Sequence, residues 1–451
     1  MKLQTYNFEL LPRLVPADQL FEVTISPLPG HSFLELGEFT LYYRAHENIL
    51  SDGRITADIV EHPVPEWWFD GEKIIIKGIF AGEQEHTLDL IDSIGNESRK
   101  FQKRKVLASF RLYSVKRDWH GLLPFRGNFH QHSNISPCCH AKEDTPAHIV
   151  AESRRIGLDF TTITDHSYYY SISKALEDYQ DFPLEIALFP GEEVHPMQWS
   201  QHVVNFGGRH SITELIEADK EKFYREVGEL EESYQEMPPQ MDTFVMATTE
   251  WTFAKIREAG GLAILSHPYW YYYALSGLTV SPLVVEHLIR RHNFDAMEVV
   301  SGFGYNEAEY NNWQIVRWFE AQATGVKIPP LGVNDSHSCQ GGDTFDWYST
   351  VVLAESMSFE DICAAVLHCR SAAIEKLPDA PAKVYADMRL VKYAHFLLRE
   401  YFPKHDELCR REAVIMQAHC DGDPNAADCM KQILGLTEAW RKEFMGPIHR
   451  K

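Results

Sequence analysis

The chain has 451 residues, of which 44% are hydrophobic and 12% aromatic, a composition typical of a globular protein and not of a disordered one. This length exceeds one typical hydrophobic core, so two or three domains are expected. The formal net charge of −22 argues against general binding to nucleic acid or to an anionic membrane, because phosphate backbones are held mainly by clustered Lys and Arg. A small phosphate ester remains compatible with this charge, since bound divalent cations reverse the local sign.

The lack of a recognisable signal peptide and the sparse cysteines favour a cytoplasmic protein. The first residues, MKLQTYNFELLPRL, lack the basic and long apolar regions of a signal peptide. No stretch approaches the roughly 18 uninterrupted apolar residues of a membrane span. The eight cysteines are sparse and include no CxxC pair, which favours a reduced chain.

The first segment, residues 1–118, is predicted to form a small antiparallel β-sandwich. Short stretches rich in β-branched and aromatic residues, such as FEVTISP, FTLYYRA, KIIIKGIF and VLASFRLYSV, are separated by turn-forming pieces. Several short strands with turns between them are typical of a sandwich. We find no catalytic cluster in this segment.

The second segment, residues 124–370, alternates predicted strands with predicted helices. Thr145 is a plausible N-cap for the helix in DTPAHIVAESRRIGLDF, which runs directly into the strand-like FTTITDHS. Two further helices begin at the capping residues Ser211 and Ser358. Alternating strands and helices indicate an α/β protein with a parallel sheet or barrel.

The third segment, residues 371–451, is predicted to be a helical extension. Apolar residues from Val384 to Tyr401 fall near one helical face, and Pro403 is expected to end that helix. Its cysteines and His395 are interpreted as packing or surface residues.

Polar side chains follow the predicted strands of the second segment, at the point where each strand ends. In parallel α/β barrels this rim is where loops converge and active sites form. A single histidine at a strand end is more often structural, but six or seven strands that end this way require another explanation. The residues concerned are His130, His132, His166, Glu193, His202, His267, Asp335 and His337.

Metal binding supplies that explanation, because imidazole and carboxylate together suit Zn, Mn or Fe. Alternation along an extended segment points His130 and His132 to the same side, so the pair can chelate one ion. Asp335 and His337 can do the same from across the barrel. Glu193 is well placed to bridge two ions, which lie about 3.5–4 Å apart in such sites.

The motifs HxH, TDH, PGEE, SHP and NDSH occur in the same order as in the PHP (polymerase and histidinol phosphatase) superfamily, which this chain resembles from residue 127 to about 370. The resemblance implies a distorted seven-stranded, TIM-like β/α barrel with a trinuclear metal site. A β-rich domain ahead of the barrel resembles the carbaryl-hydrolase-like branch of that superfamily.

The resemblance also implies a set of ligands for two to three divalent ions, of Zn, Mn or Fe. The chain departs from the family pattern at Asn128, where relatives often have Asp, and at the last ligand, where Pro137 occupies the usual position. His140 is then the expected replacement, with Cys138 or Cys139 as alternatives. The implied first metal is held by His130, His132, Glu193 and Asp335, the second by Glu193, His202 and His267, and the third by His166, His337 and His140.

The resemblance implies a metal-dependent hydrolase that uses metal-activated water. Its expected catalytic residues are His130, His132, Glu193 and Asp335, and Asp165 is expected to orient a ligand. Glu192 is expected to point away from the metals.

Three hypotheses about the function remain open. A phosphoesterase acting on a small phosphomonoester or nucleotide-like molecule is favoured, with Arg209 as a candidate for the phosphate. A carboxyl or carbamate ester hydrolase would use the aromatic side chains of Tyr168, Tyr269 and Trp270 as pocket walls. A non-catalytic scaffold is the third reading. The expected partner is a small-molecule ester, with no nucleic-acid polymer and no membrane.

Overall fold

The computed structural model confirms a mixed α/β protein. It divides into two compact units. The first comprises Met1–Leu122, His395–His405 and Leu436–Lys451, and the second Leu123–Ala394 and Asp406–Gly435. The structure describes residues 7–47, 65–93, 105–139, 141–197, 200–272, 276–339 and 344–449.

The first unit contains two four-stranded sheets, with strand orders β1-β3-β6-β5 and β2-β8-β7-β4. In β6 the inward side chains of Ile74 and Ile76 are fully buried, as expected of a strand with one face on a core. Both sheets contribute side chains to one hydrophobic cluster. The strands are β1 (Phe8–Leu11), β2 (Leu14–Pro16), β3 (Leu20–Pro27), β4 (Phe39–Ala45), β5 (Glu66–Phe69), β6 (Ile74–Ile79), β7 (Glu85–Asp92) and β8 (Val106–Val115).

The second unit contains a six-stranded sheet, a five-stranded sheet and a small hairpin. Their strand orders are β11-β10-β9-β19-β20-β21, β12-β13-β14-β17-β18 and β15-β16. The strands are β9 (Leu123–Asn128), β10 (Phe160–Thr161), β11 (Ala187–Leu188), β12 (Gly191–Val194), β13 (Val203–Phe206), β14 (Leu262–Leu265), β15 (Tyr271–Tyr272), β16 (Gly277–Leu278), β17 (Ala296–Val300), β18 (Pro330–Gly332), β19 (Tyr348–Ala354), β20 (Ser371–Glu375) and β21 (Lys383–Tyr385).

The closed seven-stranded barrel expected from the resemblance is not observed among the described residues. The two larger sheets are small and open, and isolated bonds connect them. At one seam the Thr350 hydroxyl accepts from Gly332 N at 3.0 Å and donates to Gly332 O at 2.8 Å, in place of a backbone ladder. At the other seam a single parallel bridge joins His166 to Glu193. Strands as short as β10 and β11 have too few peptide groups to continue the ladder across these seams.

The helices begin where capping side chains predict. Thr145, Ser211 and Ser358 each accept a hydrogen bond from a backbone N–H of the first helical turn. Asp219 divides the long helix expected after Ser211 into two and caps the second. The helices are α1 (Pro146–Arg155), α2 (Ser171–Asp178), α3 (Ile212–Ala218), α4 (Lys220–Glu232), α5 (Thr243–Glu258), α6 (Pro282–Arg291), α7 (Ala308–Ala323), α8 (Phe359–Leu367), α9 (Met388–Glu400), α10 (Phe402–Cys420), α11 (Ala426–Lys431) and α12 (Leu436–Met445).

Within residues 371–451 the strands β20 and β21 are followed by the helices α9 to α12, and each of the two units includes part of this segment. The expected helix end near Pro403 is observed, since α9 ends at Glu400 and α10 begins at Phe402. None of the helices in the described ranges is both long and apolar enough to cross a bilayer. The eight cysteines all lie in those ranges and are free thiols.

A buried ion pair fastens α1 to α10 within the second unit. The Nε of Arg154 donates to Glu412 Oε2 at 2.6 Å, and its Nη1 donates to Leu158 O at 2.9 Å. Both side chains of the pair are 1% exposed. A charge buried this deeply depends on its partner, because water does not replace the lost contact.

We predict that Arg154→Ala lowers the free energy of unfolding of this unit by about 3–5 kcal/mol, because the buried carboxylate of Glu412 would lose its guanidinium partner. Arg155→Ala is the matched control, since Arg155 is 42% exposed and its pair with Glu152 is worth at most about 1 kcal/mol. Urea denaturation followed by circular dichroism measures both variants. Equal losses for the two variants would contradict the prediction.

Candidate metal centre

Glu193 lies at the centre of a group of histidines in the second unit. Its Oε1 is 2.8 Å from Nδ1 of His202 and 3.1 Å from Nε2 of His267. Its Oε2 is 2.6 Å from Nδ1 of His166. The Glu193 side chain is only 1% exposed, so these imidazoles replace solvent around the carboxylate.

Asp335 contacts both histidines of the HxH pair, His130 and His132. Its Oδ1 is 3.1 Å from Nε2 of His130 and 3.0 Å from Nε2 of His132. The same two nitrogens lie 3.5 and 3.6 Å from Oε2 of Glu193. The two histidines are therefore held between the two carboxylates.

Backbone geometry at the strand ends aims these side chains inward. Strand β9 ends at Asn128, and the segment that follows is tied across the rim by Asp335 N donating to His130 O at 2.9 Å. Asp335 and His267 adopt positive φ values of 42° and 21°. Such conformations cost about 1–3 kcal/mol each and persist only where the surroundings impose them.

The donor atoms fit divalent metal ions. His130 Nε2 and Glu193 Oε2 are fully buried and lie 3.5 Å apart. Among the described residues their close neighbours, Asp335 Oδ1 and His166 Nδ1, do not form hydrogen bonds of good geometry with them. Buried polar atoms are rarely left without a hydrogen bond, so lone pairs that face a shared point indicate a place where a cation would fit. Imidazole nitrogen and carboxylate oxygen together suit Zn, Mn or Fe.

The candidate ligands form overlapping groups, as in a multinuclear site. Within each group the ligand atoms lie within 4.8 Å of one another. Several residues belong to two groups, so one ion would not satisfy all of them. The groups are His132, His166 and His337; His130, Glu193 and His267; His130, His132 and Asp335; and His166, Glu193 and His195.

The charges in the cluster shift the pKa values in opposite directions. Burial lowers the pKa of His130, but the negative charge of Asp335 outweighs it and the pKa lies well above the usual value. Burial and the neighbouring His337 lower the pKa of His132 to about 3. Burial raises the pKa of Glu193, but the surrounding histidines hold it well below the usual value. Without a metal, neighbouring imidazoles therefore compete for positive charge.

Two residues of this centre were missed from the sequence. His195 Nε2 is 3.3 Å from Glu193 Oε2, and alternation along GEEVH would have placed both on one face. Glu298 accepts from His130 Nδ1 at 2.7 Å and from His267 N at 2.7 Å. Its signal was a lone carboxylate inside the apolar run AMEVV of β17.

Two other residues singled out in the sequence, Glu192 and Asp165, form hydrogen bonds with segments next to the cluster. Glu192 accepts hydrogen bonds from Ser211 and Ile212 at the start of α3 and turns away from the cluster. Asp165 accepts from Ser133 N at 2.7 Å and from the hydroxyls of three serines, so it anchors the loop after the HxH pair. His140 lies outside the described residues.

A cavity of about 790 Å³ opens above the cluster. Of the predicted substrate contacts, only Trp270 lines it, with its ring centroid 5.1 Å from that of His202. Tyr168 and Tyr269 are not among the lining residues. Arg209, the candidate for holding a phosphate, donates instead to Glu258 O at 3.2 Å and is exposed outside the cavity. Lining residues that were not predicted include His195, Tyr272, Phe303 and Glu307.

No family model and no curated protein matches this sequence. Solved structures do match. The chain is similar to PHP-like proteins. One is a two-domain protein from Bacteroides vulgatus containing a predicted PHP-like metal-dependent phosphoesterase, at 19% identity and TM-score 0.38, covering 56% of this chain and 65% of that one. Another is the lesion-specific Endonuclease Q from Pyrococcus furiosus, at 15% identity and TM-score 0.33, covering 58% of each chain.

These neighbours confirm the PHP resemblance predicted from the motifs, whereas the carbaryl-hydrolase-like branch is not confirmed. This chain spans less than two thirds of the length of either neighbour.

The expectation that nucleic-acid polymers are excluded as partners is wrong. A further matching structure is an Endonuclease Q complex with a 27-mer duplex that carries an abasic lesion, at 15% identity and TM-score 0.33, covering 54% of this chain and 56% of that one. The exclusion rested on the net charge of the whole chain, −22. That sum does not fix the potential at a site, because bound cations are often the largest local charges.

We predict that Glu193→Gln weakens metal binding by more than about 100-fold. Loss of a residue that only orients a ligand costs up to about 100-fold, and Glu193 is expected to contact the metal itself. The neighbouring variant Glu192→Gln is the matched control. It should keep the metal content, because the Glu192 carboxylate accepts hydrogen bonds from Ser211 and Ile212 and not from the cluster. It should instead cost about 0.5–2 kcal/mol of stability at the start of α3. Elemental analysis and thermal unfolding measure the two effects. Metal loss in both variants alike would refute the assignment.

We predict that Glu298→Gln reduces metal affinity by about 10–100-fold while the variant stays folded. The amide can still accept one hydrogen bond, but it holds the His130 ring less firmly than the carboxylate oxygen at 2.7 Å. Competition with a chromogenic chelator gives the affinity. An affinity equal to that of the unmodified chain would show that Glu298 does not position His130.

Proposed function

We propose that this chain is a metal-dependent hydrolase, and most directly a phosphoesterase that acts on a small phosphomonoester or nucleotide-like substrate. The observation that carries the proposal is the convergence of histidines on Glu193 and Asp335 at the floor of an open cavity. Two or three divalent ions, of Zn, Mn or Fe, fit this donor set. When bound, such ions supply Lewis acidity and make water a competent nucleophile at neutral pH.

The charge of the cavity supports a role for cations in binding the substrate. No Lys or Arg is present among the described residues that line it, whereas Glu217 and Glu307 are. A phosphate group would therefore meet no Lys or Arg among the described residues at the floor of the cavity. Metal ions bound between Glu193 and Asp335 would supply the positive charge that a phosphate requires.

The residues of this chain hold the ligands in defined protonation states. Glu298 accepts a hydrogen bond from Nδ1 of His130, so that Nε2 of the neutral ring would be available to bind a metal ion. Ser136 Oγ lies 3.2 Å from Nδ1 of His132 and fixes that ring in the same manner. Because His130 and His132 are buried, substrate and water approach from the side of His195, which is 28% exposed.

Hydrolysis of a carboxyl or carbamate ester is the second candidate. It is supported by the aromatic part of the cavity wall, where Trp270, Tyr272 and Phe303 provide apolar surface for a planar leaving group. A neutral ester also has no need for a side-chain cation. The two candidates share the metal centre and differ in the charge of the group that is attacked.

We further propose that the two sheets of the first unit form a β-sandwich over residues 1–118, supported by the single hydrophobic cluster that they share. The metal-binding part would comprise residues 124–370, with residues 371–451 following as an extension.

We predict that the metal-loaded chain hydrolyses p-nitrophenyl phosphate faster than p-nitrophenyl acetate, and that the double variant His130→Ala/His132→Ala loses both activities. The exposed His368, whose ring bonds only to its own helix, provides the matched control as His368→Ala and should keep full activity. Preference for the acetate would favour the second candidate. Unchanged turnover in the double variant would refute the hydrolase, and a folded chain that binds no metal would favour a scaffold.

A further inference from the structure

A second cluster of metal-ligating side chains shares no member with the metal centre. Asp144, His148 and Cys339 place a carboxylate oxygen, an imidazole nitrogen and a thiol sulfur within 4.8 Å of one another. None of the three lines the cavity. We propose that they form a separate site for one thiophilic divalent cation, with zinc as the best match.

The local fold brings the three side chains together from distant parts of the sequence. Asp144 directly precedes the N-cap of α1, and His148 lies one turn later on the same side of the helix. Cys339 belongs to the segment after β18. Its Sγ lies 2.9 Å from Asp144 Oδ1, and its backbone N–H donates to Asp144 Oδ2 at 3.3 Å.

The environment of Asp144 points to a cation. Its side chain is 1% exposed, and among the described residues no Lys or Arg forms an ion pair with it. The hydrogen bonds that it accepts come from the backbone and the thiol of Cys339, both of which are neutral donors. A buried carboxylate without a countercharge is costly, so carboxylates in such positions are paired or bind metals.

The donor set selects the metal. Thiolate, imidazole and carboxylate in one tetrahedral shell are typical of zinc, whereas magnesium and calcium prefer oxygen ligands alone. Three protein ligands leave one position for a water molecule. On binding, the Cys339 S–H bond breaks, a metal–sulfur bond forms, and the proton leaves to solvent.

Such an ion would join the two segments that carry ligands of the metal centre. The segment containing Asp144 is hydrogen-bonded to the loop after the HxH pair, since Asn134 N donates to Asp144 O at 2.8 Å. Cys339 follows Asp335 and His337 in the chain. The proposed ion would thus hold these two loops together, a structural role that does not require substrate.

The decisive experiment is cobalt(II) loading of the full-length chain, because a cobalt–thiolate bond gives a near-ultraviolet charge-transfer band. The unmodified chain should show the band. Cys339→Ser should lose it together with about one equivalent of cobalt, as expected when one ligand of a mononuclear site is removed. Cys138→Ser is the matched control, because Cys138 lines the cavity of the metal centre. It should keep the band if the thiolate comes from Cys339.

His148→Ala provides a test that does not depend on replacing a buried residue, since His148 is only partly buried. It should weaken binding of this one cobalt ion by at least about tenfold while the circular dichroism spectrum is unchanged. A band that survives Cys339→Ser, or that disappears only with Cys138→Ser, would overturn the proposal, as would unchanged cobalt affinity in His148→Ala. These readouts involve no substrate, so they are independent of whether the chain hydrolyses esters.

Discussion

The structure of the second unit depends on the burial of carboxylates that require positive charge. Glu193 and Glu298 are fully buried, and Asp335 lies beside them against the HxH pair. Isolated charges in such a place would cost several kcal/mol each. Protonated histidines supply part of this positive charge, but each imidazole that gains a proton makes protonation of the neighbouring imidazole less favourable. Divalent ions resolve this conflict, because one cation balances two carboxylates and leaves the imidazoles neutral as ligands.

The same requirement explains why regular structure stops where it does. Strand β9 ends before the HxH pair, and Asp335 and His267 leave the extended conformation for positive φ. A continued strand would alternate its side chains between two faces, whereas the cluster needs successive segments to point toward one centre. One open seam between the sheets lies at the cluster itself, since the isolated bridge found there among the described residues is made by His166 and Glu193. Regular pairing is lost where the ligands must converge.

Sequence reasoning succeeded where the signal was local or repeated. Helix starts at Thr145 and Ser358 follow from one side chain and the peptide groups that it caps. The convergence of histidine and carboxylate side chains at one place followed from one pattern repeated over several strands. By contrast, the contact of Glu298 with His130 joins residues 168 positions apart, and no local pattern specifies it. Barrel closure likewise depends on how the edges of two sheets meet, which strand-by-strand patterns do not contain.

Arg209 shows why a plausible side chain near a motif is weak evidence for a binding role. Its Nη2 donates to Glu258 O at the end of α5, and the side chain is not among those that line the cavity. With no Lys or Arg among the described lining residues, charge selection would fall to the metal ions, and shape selection to Trp270 and Phe303. If metal ions are bound as proposed, a substrate anion that fits this cavity would have to reach them directly. That requirement is met by a terminal phosphate on any carrier that leaves it exposed, a small molecule or the end of a larger chain.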